Sequence, residues 1–294
     1  MRMRFAARRI EPPALDPALR FLYYGPLGGF PKPNMIDVHS HLIWGVDDGS
    51  HSLTESIEMA ELAALHGTSV IVATPHSNHE FAYDVELIQE RLMALRRALG
   101  ARIEVLRGCD MHLTYENVTQ ALQNPQKYTI NSKNHLLVEF SDASILPSSG
   151  ELFQRMLDQG IVPVITHPER NLLLQDRLKD LEKWVMQGCA LQITGQSLLG
   201  GFGRRAKQFA EALVRKGLAH IVASDGHDMK WRPPRLDEAY QHVREKFGEK
   251  TAQRLFIANP QLVISGGDLS FEESGVEAGG ESKPGGWRRF WKRG

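Results

Sequence analysis

The chain is poor in cysteine, lacks any long apolar run and carries no excess charge of either sign. Two cysteines among 294 residues cannot build a disulfide framework or a four-thiolate zinc site, so a reducing cytosolic compartment is expected. The 35 basic and 35 acidic side chains balance, with a pI near 7.2. That balance removes the electrostatic footprint of a general nucleic-acid binder. No stretch approaches the roughly 20 apolar residues that span a bilayer. The arginines at Arg2, Arg4, Arg8 and Arg9 lead into no signal-peptide core. Several catalytic motifs are missing as well. With five residues between, Cys109 is followed by Tyr115 and Cys189 by Gly195, so neither opens a C-x5-R phosphate loop. There is no GxxxxGK[ST] loop, no GxSxG elbow and no GxGxxG after the first strand.

What is present is a repeating unit. Short β-branched or apolar runs fall at 35–41, 69–76, 103–110, 135–141, 161–170, 190–197 and 220–227. Most are followed by an amphipathic helical segment, at 52–66, 85–99, 150–159, 177–187, 204–216 and 235–247. Ser52-Leu-Thr-Glu55 is a capping-box pattern. Gly67, Gly100, Gly160, Gly188 and Gly217 stand just past helical runs, where a C-terminal cap favours glycine. Buried strands alternating with helices predict a parallel sheet, and seven of them favour a closed or nearly closed, TIM-barrel-like (β/α) barrel over an open sheet. The Gly-rich stretch TGQSLLGGFG (194–203) reads as a plain strand-to-helix loop. The barrel is placed at 35–264, with 1–34 a flexible extension and 265–294 a disordered tail ending in the basic-aromatic WRRFWKRG.

Six of the seven runs end in residues able to hold a metal: His39 and His41, His76, Asp110, Glu139, His167, then Asp225 and His227. A parallel barrel gathers such strand ends at one mouth. His39-x-His41 and Asp225-x-His227 each place two donors on one face of a strand end, and Asp37 and Asp48 flank the first pair. Imidazole and carboxylate without thiolate suit Mn, Fe or Zn, and the number of donors calls for two or three ions. Such clusters hydrolyse phosphoesters. Arg170 in HPER and Arg232 before Pro233-Pro234 add guanidinium forks that match a phosphate. His79 and His112 lie within reach of substrate near the mouth. His51, His66, His135, His220 and His242 read as ordinary surface or partly buried residues.

The ordered series MIDVHSHLIWGVDDG, TPH, GCDM, VEF, ITHPER and ASDGH followed by RPP resembles the PHP (polymerase and histidinol phosphatase) superfamily. More narrowly, it resembles the manganese-dependent protein-tyrosine phosphatases encoded with capsule and exopolysaccharide genes. The resemblance implies a distorted seven-stranded (β/α) barrel of PHP type over about 35–264 and three metal subsites. His39, His41, Asp110 and Asp225 would hold one Mn²⁺. Asp110 would bridge to a second held by Glu139 and His167, and Asp48, His76 and His227 would hold a third. Arg170 and Arg232 would grip the phosphate, with metal-activated water as nucleophile and no phosphoenzyme. The resembled family has Glu where this chain has Asp110, one methylene shorter, which bears on the bridging distance.

The implied substrate is phosphotyrosine on a membrane-anchored tyrosine autokinase, so that dephosphorylation regulates polysaccharide export. Two alternatives stay open: a small-molecule phosphatase such as histidinol phosphatase, and a non-catalytic metal-stabilised binder of a kinase tail. A nuclease is disfavoured by the balanced charge. Met35 stands where members of the resembled family commonly begin, so 1–34 is read as an alternative start. Residues 283–294 are a candidate contact for an anionic membrane face.

Overall fold

The computed structural model describes residues 34–269, and the expectations for 1–33 and 270–294, including the basic-aromatic end, lie outside the described residues. The seven apolar runs become nine strands. They are β1 (Met35–Ser40), β2 (Thr68–Ala73), β3 (His76–Ser77), β4 (Glu104–Arg107), β5 (Asp110–His112), β6 (His135–Glu139), β7 (Val162–Thr166), β8 (Ala190–Thr194) and β9 (Ile221–Ala223). Two runs are each broken in the middle. Thr74-Pro75 separates β2 from β3, because proline has no N–H to give a ladder. Gly108-Cys109 separates β4 from β5, and there a Cβ on Gly108 would stand 2.9 Å from the Thr74 methyl. The two interruptions pack against each other.

All pairings are parallel. One sheet has the order β1-β2-β4 and the other β3-β5-β6-β7-β8-β9. A parallel bridge joins Ser40 to Gly226. Beside it, His41 N–H donates to Gly226 O at 2.8 Å and Asp225 N–H to His39 O at 2.9 Å. The end of β1 is thereby tied to the segment just past β9.

The helical periods are realised at Leu53–Leu65, Val85–Leu99, Ser149–Asp158, Leu178–Gln187, Gly203–Arg215 and Asp237–Phe247. Ser52 caps the first by accepting from Glu55 N–H. The return arm of the box reaches His51 N–H at 2.7 Å rather than Ser52's own amide. All five glycines expected past helix ends take positive φ, up to 117° at Gly188. The stretch 194–203 departs from the expected plain loop and contains a helix, Gly195–Leu199. Its cause is a neighbouring carboxylate: Glu169 accepts from Thr194 N–H at 2.9 Å and from Ser197 Oγ at 2.7 Å, anchoring the first turn.

Alternate strand residues divide between two apolar clusters, as the pleat requires. Ile71, Val105, Val138, Ile165, Leu191 and Val222 pack with helix residues such as Met59, Leu92, Phe153 and Leu213. Val72, Leu106, Leu137, Val164, Ala190 and Ile221 form the smaller cluster, closed by Val263 and Ile264 of the last helix, Asn259–Ser265. Burying a leucine-sized side chain in such a layer stabilises by about 1.5–3 kcal/mol. This packing leaves the C-terminal strand ends free to carry polar groups.

Candidate metal centre

Polar side chains replace apolar ones where the strands end. The register of β1 against β2 slips between Asp37 and Ser40, around His39. There the His39 and His41 Nε2 atoms come within 3.3 Å of each other. Asp225 Oδ1 lies 3.2 Å from the first and 3.3 Å from the second. Four overlapping groups of donor atoms result, each small enough to surround one cation. They are His41, Asp48, His76 and His227; His39, His41 and Asp110; His39, His167 and Asp225; and His76, Asp110 and Glu139. All nine candidate ligands fall in at least one group.

The grouping differs in detail from the subsites implied by resemblance. The third triad comes together with His41 added to it, while His39, His41, Asp110 and Asp225 divide between two groups. Glu139 joins His76 and Asp110, and His167 joins His39 and Asp225, although His167 Nε2 is still 3.6 Å from Glu139 Oε1. Asp110, despite its shorter side chain, places Oδ2 3.6 Å from His39 Nε2 and 3.3 Å from His76 Nδ1. It is the carboxylate common to the His39–His41 and His76–Glu139 groups.

Three imidazoles are oriented through one nitrogen and leave the other facing inward. His41 Nδ1 meets Asp47 Oδ2 at 2.7 Å, His39 Nδ1 meets Gln192 Oε1 at 2.9 Å, and His227 Nδ1 meets the Asp225 carbonyl at 2.9 Å. Each ring thus presents Nε2 to the cluster, the arrangement that second-layer partners impose on metal-binding histidines. His227 Nε2, His76 Nδ1 and Asp110 Oδ2 are buried without a hydrogen-bond partner. Such orphaned polar atoms are costly unless something satisfies them. Each belongs to a group that could surround a cation, His227 with His41, Asp48 and His76, and Asp110 with His76 and Glu139.

The electrostatics point the same way. Burial would lower the His39 ring, but the Asp225 and Asp110 carboxylates raise it to about 9. Burial likewise opposes charge on His76, yet contacts with Asp110 and Asp48 lift it to about 11. For Asp225, burial works upward while His39 and Arg170 hold the carboxyl well below its usual range. Glu139 moves up to about 7 through burial and the adjacent Asp110 charge. The carboxylates stabilise positive charge inside the cluster, whether as ring protons or as metal ions.

Backbone geometry is unusual at two of these positions. His167 has φ 32° and Asp225 φ 53°, left-handed values that non-glycine residues rarely adopt. Such conformations persist where surrounding structure over-determines them, commonly at functional sites. Arg170 and Arg232, both in loops, donate to the same Asp225 Oδ2 atom. Arg170 also lines a cavity of about 100 Å³, together with Glu139, Asp142, Thr166, His167 and Asn171.

Other sequence expectations sort clearly. His79 is exposed and His112 half-buried, and neither joins a donor group. His66 pairs with Asp237 at 2.8 Å and His242 with Glu211 at 3.1 Å. His135 and His220, expected at the surface or partly buried, are corrections, because both are fully buried. Cys109 and Cys189 are free and buried, and burial pushes both thiols up. Asp47, Gln192 and Glu169 were not legible as site residues. The doubled acid at Asp47-Asp48 was the only local hint, and nothing in a strand or a turn marks Gln192 as a partner of His39 or Glu169 as a partner of Thr194 and Ser197.

Residues 35–265 match the family model for capsular polysaccharide synthesis proteins, CpsB/CapC. The tyrosine-protein phosphatase YwqE of Bacillus subtilis is 34% identical over 234 residues, covering 78% of this chain and 91% of that protein. The tyrosine-protein phosphatase CpsB of Streptococcus pneumoniae is 30% identical over 239 residues, covering 78% of this chain and 98% of that protein. A crystal structure reported with YwqE and CpsB, described as unique metal-dependent tyrosine phosphatases, superposes with a TM-score of 0.77. It shares 33% identity and covers 81% of this chain and 97% of that one. The phosphotriesterase homology protein of Escherichia coli, with a TM-score of 0.52 and 11% identity over 80% of this chain and all of that one, shares the fold alone. Among the described residues no helix is long and apolar enough to cross a membrane.

Proposed function

The chain belongs to the CpsB/CapC family, and we propose that it is a metal-dependent protein-tyrosine phosphatase. The observation that carries this reading is the set of overlapping imidazole–carboxylate groups lying under two arginines that share one carboxylate oxygen. His39, His41, Asp110 and Asp225 would hold one ion, Asp110 with Glu139 and His167 a second, and Asp48, His76 and His227 a third. Manganese is the ion we assign, within a donor set that also admits iron or zinc. Bound divalent ions would supply Lewis acidity toward the phosphoryl oxygens and lower the pKa of the attacking water.

The protein's own groups do the rest. Arg170 and Arg232 would transfer their forks from Asp225 to the phosphoryl oxygens, orienting the group and stabilising charge that grows in the transition state. Their present convergence on one oxygen shows that both can reach a common point. The buried thiols take no part, in keeping with the absence of a C-x5-R loop. The substrate class is phosphotyrosine on a protein, and the family resemblance points to a membrane-anchored tyrosine autokinase whose control would govern capsule polymer export. The same reading treats the two sheets as one distorted seven-position barrel, supported by the β2–β3 and β4–β5 continuities and the Ser40–Gly226 bridge.

The deciding experiment is hydrolysis of a phosphotyrosine peptide by the full chain with added Mn²⁺. Turnover is expected to resist thiol alkylation, to exceed that on histidinol phosphate and to disappear in His39→Ala. Absence of turnover with every divalent metal tried would overturn the assignment.

A further inference from the structure

The Gly-rich stretch 194–203 has no role in metal binding, yet its side chains touch both arginine loops. Glu169, the residue before Arg170, is fully buried and accepts from Thr194 N–H and Ser197 Oγ through Oε1. Gln175 Nε2 donates to the Glu169 carbonyl at 2.6 Å, fixing its backbone from the other side. Gln196 Nε2 donates at 3.2 Å to the carbonyl of Trp231, the residue before Arg232. The chain then turns through Gly200 and Gly203, at φ 97° and 88°. Between them Phe202 lies under the Arg170 guanidinium, whose carbon is 4.4 Å from the ring centroid.

The Arg232 loop is also held by its own turn. Asp228 Oδ1 accepts from Lys230 and Trp231 N–H, at 2.6 and 2.5 Å, and His227 N–H donates to the Arg232 carbonyl at 2.8 Å. The helix Gly195–Leu199 therefore stands between two turns, each preceding or carrying one arginine, and is bonded to both. Glycines that read in sequence as part of a plain strand-to-helix loop shape a turn that presents an aromatic ring.

We propose that 194–203 is a positioning device for phosphate binding, in which Phe202 orients the Arg170 guanidinium while Ser197 and Gln196 fix its loop relative to that of Arg232. This rests on the phosphatase reading above. A planar guanidinium has four rotatable bonds before it, and each that must be frozen on binding weakens the fork. A ring face beneath it holds the plane through a cation–π contact. The bond that Arg170 donates to Asp225 restrains the guanidinium only while that carboxylate is not displaced by phosphate, whereas the Phe202 face would remain in place throughout. Phe202, Ser197 and Gln196 are positioning residues and need not touch substrate.

The test uses the full Mn²⁺-loaded chain, with inorganic phosphate as ligand in calorimetry and p-nitrophenyl phosphate as substrate. Phe202→Leu, which keeps apolar bulk, is expected to raise the phosphate dissociation constant and KM about tenfold, with metal content unchanged. Phe202→Tyr is expected to restore both. Ser197→Ala, which leaves the ring in place, is expected to weaken phosphate by roughly threefold. In an Arg170→Ala background, Phe202→Leu should have no further effect on phosphate affinity, because the ring acts through that arginine. A full Phe202→Leu effect persisting in that background overturns the proposal, as does unaltered phosphate affinity in Phe202→Leu when wild type turns over normally. Wild-type protein that neither binds phosphate nor hydrolyses p-nitrophenyl phosphate overturns the phosphatase reading and the positioning role with it.

Discussion

Single side chains set the cluster's orientation more than its composition does. Asp47 joins three things at once: the His41 ring at 2.7 Å, the His76 amide at 3.1 Å and the Gly49 amide at 3.1 Å. Replacing it with alanine leaves every candidate ligand in place but frees the His41 ring. Asp47→Ala is therefore expected to weaken Mn²⁺ binding about 10- to 100-fold, measured by competition with a metal indicator. Unchanged affinity would remove Asp47 from the site. A second residue-scale effect lies outside the centre. His220 Nδ1 accepts from Leu191 N–H at 3.0 Å, so the ring must be neutral there. Burial lowers it to about 3 from the ordinary 6.5. The unfolded chain takes up this proton first, so the stability contribution is complete above pH 6.5 and is lost as pH falls toward 3. His220 should cost up to about 1 kcal/mol per pH unit in that window. Urea midpoints at pH 7 and pH 5, taken in EDTA, should fall less for His220→Gln than for wild type. Equal falls would count against this role.

At the scale of elements, period and punctuation carried the six expected helices almost unaltered, because both are local properties, while helices such as Tyr115–Gln123 and Asn259–Ser265 had not been expected. The pattern placed at 85–99 became Val85–Leu99, and the one at 177–187 became Leu178–Gln187. Strands were less legible. Thr74-Pro75 interrupts its run through the missing proline N–H, whereas Gly108-Cys109 interrupts its run where the Thr74, Ile130 and Val72 side chains close on the glycine, a long-range circumstance. The helix Gly195–Leu199 had no local period, since its first turn is stabilised by Glu169 from another loop. Tight approach also governs the loop after β1. A Cβ on Gly49 would lie 2.3 Å from the His41 carbonyl oxygen. Gly49→Ala is expected to displace the turn carrying Asp47 and Asp48, costing about 1–3 kcal/mol. It should also lower metal content by about one ion per chain. Full metal occupancy in elemental analysis would contradict that.

Over the whole molecule, neutrality is an average over unlike parts. Residues 35–264 hold 24 basic and 28 acidic side chains, against six and two in 1–34. An acidic domain suits phosphate only when cations offset its carboxylates. On the proposed assignment, the buried donors of Asp110, Asp225, His39 and their neighbours would make the folded state prefer the metal-bound form. With metal at roughly a hundred times its dissociation constant, binding adds about 2.7 kcal/mol. Stripping it with EDTA is expected to lower Tm by about 5–10 °C and to abolish turnover, with Mn²⁺ restoring both. A Tm indifferent to EDTA would mean that the cluster is filled by protons alone.

The residue types, their order along the chain and the alternation of strand with helix are written in the sequence, because periodicity and chemical identity are local. From them the parallel α/β organisation, the ligand candidates and the two arginines could all be read, together with the exclusion of thiol chemistry. Which donors share an ion, and which groups hold them still, depended on approach between segments far apart in the chain. Asp110 meets His39 and His76, Gln192 meets His39, and Phe202 meets Arg170 only after β1 has been bridged to the segment past β9 and the strand ends have converged. Side-chain spacing in sequence carries no information about such distances, and packing alone decides them.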